Sequence, residues 1–123
     1  MLNPEVKKMA NVLIIDDNKT TAAILKITLS RQLHHVRRSE DIRDAIYPAD
    51  SSQPDLVLIN QAAKNFSGWK TFNYLKQIRP SLPAIVYVLE HPTTSGAQWI
   101  CKVVDAVLSE IMSDSEETPC FGT

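Results

Sequence analysis

Three short runs, "NVLIID" (11 to 16), "DLVLIN" (55 to 60) and "PAIVYVL" (83 to 89), are apolar at nearly every position and rich in Val, Ile and Leu. A strand with one wet face alternates polar and apolar residues, so runs without alternation need cover on both faces, as in a parallel sheet between two helical layers. A fourth candidate, "HHVRRS" (34 to 39), is too polar to be central and reads as an edge. The segments between these runs have helical spacing. Ala22, Leu25, Leu29 and Leu33 follow i, i+3, i+7, i+11, with Asn18 or Thr20 available as a cap. Ile42, Ala45 and Ile46 mark a short second helix stopped by Pro48. Ser67 can cap a third that carries Trp69, Phe72, Leu75 and Ile78 and closes at Pro80. Strands alternating with helices across short connections imply right-handed βαβ units in an α/β, doubly wound, three-layer sandwich.

After Leu89 two readings compete. In one, Thr94 to Val104 form a helix and "DAVLS" (105 to 109) is a fifth strand. In the other, "QWIC" is the strand and "VVDAVLSEIM" a helix. On the first reading the last strand is followed only by "EIMSDSEETPCFGT", acidic, interrupted by Pro119 and short of apolar residues, so a final helix is expected to be missing or atypical.

With 123 residues the chain suits one domain with a real core. Its apolar fraction of 44% and charged fraction of 22% are those of a soluble globular protein, and no apolar run approaches the roughly 20 residues of a membrane helix. "MLNPEVKKMA" lacks the apolar core of a secretory signal, so the expected location is the cytoplasm. Cys101 and Cys120 fit neither a disulfide framework nor a metal-ligand spacing. A net charge of −1 gives no general attraction to a polyanion. "HHVRR" (34 to 38), with His34 and His35, reads as a solvated edge, so no nucleic-acid partner and no membrane partner is expected.

In open α/β sheets, functional groups collect beyond the carboxyl ends of the strands. There stand Asp16 and Asp17 after the first strand, Asn60 after the third, Val88 after the fourth, and Glu110 if "DAVLS" is the fifth. The acidic pair could hold a hard divalent cation such as Mg²⁺ or could simply cap the first helix, and spacing does not choose.

Taken in order, "VLIIDDN", "DLVLIN" with Gly68 beyond it, "PAIVYV" and "VVDAVLSE" resemble the receiver domain of two-component response regulators, of the chemotaxis type. The resemblance spans about residues 11 to 111. It divides the chain into an N-terminal extension (1–10), a receiver-like domain (11–111) and an acidic tail (112–123). It also favours "DAVLS" as the fifth strand of a parallel five-stranded sheet. In active members of that family two acidic residues and a third-strand aspartate bind Mg²⁺, and the aspartate takes the phosphoryl group. A Thr or Ser, a Lys and an aromatic residue complete the switch. Carried over by position, Asp16 and Asp17 match the acidic pair. Asn60 stands at the acceptor position, Val88 at the hydroxyl position, Glu110 at the lysine position and Val107 at the aromatic position. A carboxylate is the nucleophile of aspartyl-phosphate chemistry, and a neutral carboxamide cannot form the acyl phosphate.

These residues imply a non-enzymatic pseudo-receiver that acts through a protein partner or as a homodimer, independently of phosphorylation. It needs no cofactor, and any Mg²⁺ at Asp16 and Asp17 would be weak. Trp99 is a candidate interaction anchor. Two other readings are a conventional phosphoacceptor receiver in a phosphorelay and a divalent-metal or small-ligand flavodoxin-like domain. For the former, Asp16, Asp17 or another carboxylate would have to substitute for Asn60, or Asn60 would have to deamidate. For the latter, Asp16, Asp17 and Glu110 would form a cation site without phosphate, while the lack of a Gly-rich phosphate loop after the first strand argues against a nucleotide.

Overall fold

The computed structural model describes residues 9–47, 53–64, 66–89, 91 and 93–121, with side chains as far as Met112. Four strands, β1 (Asn11–Ile15), β2 (His35–Ser39), β3 (Leu56–Asn60) and β4 (Ala84–Tyr87), alternate with α1 (Lys19–Arg31), α2 (Arg43–Ile46), α3 (Gly68–Ile78) and α4 (Thr94–Phe121). The strands pair in parallel in the order β2-β1-β3-β4. β1 and β3 are central and buried on both faces, which is why their sequences carry no alternation.

Residues of opposite parity feed two cores. Val12, Ile14, Leu56, Leu58 and Tyr87 pack with Ala22, Leu25 and Leu29 of α1 and with Ala97, Cys101, Val104 and Leu108 of α4. Leu13, Ile15, Val57 and Ile59 pack with Ala45 of α2, Leu75 of α3 and Leu82. α1 and α4 therefore cover one face of the sheet and α2 and α3 the other, as in a doubly wound sheet.

Local signals behave as their chemistry dictates. The Asn18 side chain, not that of Thr20, caps α1 by accepting from the N–H groups of Thr20 and Thr21. Ser67 caps α3 by accepting from Lys70 N–H. Leu33 does not extend the buried stripe of α1. It lies past the helix end at φ 71° and is exposed, in the left-handed conformation that terminates helices. Of the expected α3 stripe only Leu75 is fully buried, Phe72 is half-buried, and Trp69 and Ile78 are exposed. His34 is also not a surface residue. Its Nδ1 accepts from Ala10 N–H, and its Nε2 lies 3.8 Å from Asp105 of α4.

The main correction concerns the C-terminal third. The described residues form four strands, not five, and "DAVLS" is helical, as is "QWIC". Ala97, Cys101, Val104 and Leu108 recur at i, i+4, i+7, i+11 and are all buried, a helical stripe that runs directly through the segment read as a strand. α4 therefore continues through the acidic stretch to Phe121, in place of a fifth strand followed by a tail. Residues 1–8, the Pro48 stop and the side chain of Cys120 lie outside the described residues.

Candidate functional site: a closed network on Asp16

Asp16 directly follows β1, and its backbone is tied to β2. Its N–H donates to Ser39 O (3.1 Å), and its carbonyl accepts from Arg38 Nη1 (2.8 Å). The residue is fully buried. A buried carboxylate is tolerable only if its lone pairs are satisfied, and here four donors converge. Oδ1 accepts from Asn18 N–H (2.9 Å). Oδ2 accepts from the Thr21 hydroxyl (2.8 Å), the Tyr87 hydroxyl (2.9 Å) and Asn60 Nδ2 (3.0 Å). These donors come from the α1 entry, from α1 itself, from β4 and from β3.

Asn60 is equally committed. Besides its bond to Asp16, Nδ2 donates to Leu89 O (3.1 Å), while Oδ1 accepts from Leu89 N–H (3.3 Å) and Ala62 N–H (2.9 Å). The carboxamide thus pairs with both backbone groups of Leu89, continuing the β3–β4 ladder one step beyond Tyr87 as a backbone amide would. An aspartate could accept from Leu89 but could not donate to Leu89 O or to Asp16.

Tyr87 is the residue that the sequence reading missed. Burial, followed by the charge of Asp16 and the hydrogen bond to it, pushes its hydroxyl well above the usual tyrosine range, so it stays a donor. The available signal was an amphipathic Tyr in the otherwise aliphatic run "PAIVYVL", because a buried Tyr hydroxyl needs a partner. Thr21 was hidden among small residues of the α1 stripe, and only contact with Asp16 distinguishes it.

The other expected positions disperse. Asp17 accepts from Lys64 N–H through Oδ2 (2.9 Å), which ties the β3–α3 loop to the α1 entry. Val88 is 62% exposed and lines a groove toward α4 with Trp99, so β4 contributes Tyr87 and not Val88 to the network. Val107 and Glu110 are not at a strand end. Both lie within α4, where Val107 packs against the core and Glu110 is exposed. The lysine and aromatic positions assigned to them do not exist here, because there is no fifth strand among the described residues to carry them.

Mg²⁺ does not fit this arrangement. Both Asp16 oxygens are directed at protein donors, Asn60 presents an N–H to Asp16, and no group of three or more His, Cys, Asp or Glu side chains converges among the described residues. A carboxylate trio of Asp16, Asp17 and Glu110 is not formed. Above the network is an open cleft of about 760 Å³ lined by Asp17, Asn18, Lys19, Asn60, Lys64 and His91, among others. Gly68 opens α3 against the end of β3: a Cβ there would lie 2.8 Å from Gln61 Cα and 3.1 Å from Asn60 O, so only glycine lets α3 start this close to β3. Cys101 is buried at the α4 core, its thiol pushed up to about 11, in keeping with a packing role.

A family profile described as response regulator receiver domain matches residues 12–110. Among solved structures, the chain is similar to NtrX from Brucella abortus at a TM-score of 0.71 and 19% identity, over 92% of this chain and 30% of that one. It is likewise similar to a signal receiver domain of a signal transduction histidine kinase from Syntrophus aciditrophicus, at a TM-score of 0.62 and 19% identity, over 87% and 92% of the two chains. The non-phosphorylated receiver domain of HemR from Leptospira biflexa gives a TM-score of 0.59 at 14% identity, over 85% and 94%. The chain thus spans less than a third of the length of the NtrX chain. A search of curated proteins returned no match.

Proposed function

The chain belongs to the response regulator receiver domain family of two-component signalling, and we propose that it works there without phosphorylation, as a non-enzymatic module whose output is a protein-binding surface. The observation that carries this reading is the carboxamide of Asn60. It stands at the end of β3 with its nitrogen donating to Asp16 Oδ2 and its oxygen accepting from two backbone N–H groups. Aspartyl-phosphate chemistry needs a free carboxylate oxygen as nucleophile and a cation to neutralise the incoming phosphoryl charge. Asn60 supplies no such nucleophile. The donors that surround Asp16 occupy the lone pairs with which it would hold the cation.

Hydrogen bonds thus neutralise in place what a metal ion neutralises in the active members of the family. The scaffold is retained and the loops around it are pinned, by Asp17 to Lys64 and by Asn60 to Leu89. A pinned site favours one standing conformation, suited to constitutive recognition of a protein partner or a second copy. A cytoplasmic location accords with this role, and among the described residues no helix is long and apolar enough to cross a membrane.

Incubation with acetyl phosphate and Mg²⁺, followed by intact mass measurement, tests the reading. The expected result is an unchanged mass under conditions that phosphorylate an active receiver run in parallel. An added phosphoryl group on this chain would overturn it.

A further inference from the structure

The doubly wound flavodoxin-like order is 2-1-3-4-5, whereas among the described residues the sheet ends at β4. The β3–β4 ladder gives the orientation of that edge. Val57 N–H donates to Pro83 O and Gln61 N–H to Tyr87 O, so residues 83, 85 and 87 face β3. The N–H and C=O groups of Ala84, Val86 and Val88 therefore face outward, and no strand among the described residues pairs with them.

Beside this edge, on the α1 and α4 face, lies a groove of about 280 Å³. Ile85 forms its floor. Trp99, Ile100 and Val103 of α4 form its wall, with Trp99 68% and Val103 40% exposed. The opposite edge of the sheet differs sharply. β2 carries His35, Arg37 and Arg38, the charged protection that edge strands commonly have. β4 carries no charged residue at all.

We infer that the β4 edge and the α4 wall are a docking site for a short extended segment of another protein, which adds as a fifth strand with apolar side chains at alternate positions against Trp99 and Val103. The backbone identifies the conformation of the occupant: only an extended chain presents unpaired N–H and C=O groups at strand spacing, because a helix satisfies its own. Size separates a segment from a second copy. A stable interface buries roughly 800 Å² per partner through 20–30 residues on each side, and the groove is lined by seven. That footprint suits a strand of about five residues. The proposal rests on the phosphorylation-independent docking role above and names the kind of partner for it.

Selection from a displayed library of random heptapeptides, followed by amide exchange of the intact protein with the enriched peptide, tests it. Enriched sequences are expected to be apolar at alternate positions. The peptide should slow exchange at the outward amides of Ala84, Val86 and Val88 by about ten-fold or more, with no effect at β2. Trp99→Ser, which removes an exposed anchor, should weaken binding by about ten-fold or more. Val88→Pro, which removes an outward N–H while leaving the pairing with β3 intact, should do the same. Absence of an alternating consensus, or binding that leaves those amides unprotected, would overturn the proposal. Concentration-dependent protection of the same amides without peptide would also overturn it, by assigning the edge to a second copy. The acetyl phosphate result is independent of all these outcomes: a failed selection with an unchanged mass removes only the strand-docking proposal, while a phosphoryl adduct removes the reading beneath it.

Discussion

Asn60→Asp is expected to destabilise the domain by about 4 kcal/mol near pH 7, although it is isosteric and installs the residue that active receivers carry. The new carboxylate would lie at the position from which Nδ2 now reaches Asp16 Oδ2 at 3.0 Å and Leu89 O at 3.1 Å. Two unit charges at that separation repel by about 5 kcal/mol at an effective dielectric near 20. Taking up one proton is the cheaper escape. Against an ordinary carboxyl value of about 3.9 it costs about 4 kcal/mol near pH 7 and about 1.5 kcal/mol near pH 5. The sign follows from linkage: the shared site raises a carboxyl pKa in the folded state, so the variant is least impaired at low pH and loses stability as pH rises. Urea denaturation at the two pH values checks this. A penalty that does not grow with pH would mean that position 60 is not coupled to Asp16.

Tyr87→Phe is expected to lower stability by about 1.5–3 kcal/mol, the range for losing a hydrogen bond to a charged group. The remaining donors to Asp16 Oδ2 are Thr21 and Asn60. The variant also has a pH signature. Because the folded hydroxyl titrates far above its ordinary 10.0, its contribution is fully present below pH 10 and is lost as pH rises beyond that value. The gap between wild type and Tyr87→Phe should therefore narrow above pH 10 by up to about 1.4 kcal/mol per pH unit. A constant gap across that range would indicate lost packing alone.

The parts of this fold that a sequence exposes are those where one local signal has one structural meaning. β1 and β3 were legible because strands covered on both faces must be apolar throughout, β4 because it too is an apolar run although only partly buried, and the α1 cap because Asn18 is short, polar and directly ahead of a helical stripe. α4 was not, since "VVDAVLSE" is apolar enough for a strand and its spacing matches the fifth strand of a relative. Only the burial of Ala97, Cys101, Val104 and Leu108 along one stripe separates the two. Val107 and Glu110 followed that error, because both took their assigned roles from the strand.

Asn60 was legible as a departure but not as a participant. Read along the chain, a carboxamide at an acceptor position registers as a lost charge. Read in three dimensions, its two N–H donors bind Asp16 and Leu89 at once, which a carboxylate could not do. Its fellow donors to Asp16, Thr21 and Tyr87, are of ordinary type, and Tyr87 is 71 positions away from Asp16, so only the fold assembles the set. The carboxamide at position 60 and the closed network on Asp16 are thus one feature seen from two sides.

The phosphorylation-independent role stands or falls on Asp16 being satisfied by protein donors and not by a metal ion. Nuclear magnetic resonance of the Asn60 carboxamide and the Tyr87 hydroxyl proton during a Mg²⁺ titration tests it directly. The expected result is slowly exchanging, hydrogen-bonded signals for both, unchanged through millimolar Mg²⁺. Saturable movement of the Asn60 signals together with loss of the Tyr87 hydroxyl signal would contradict it, because the ion would then have displaced the donors.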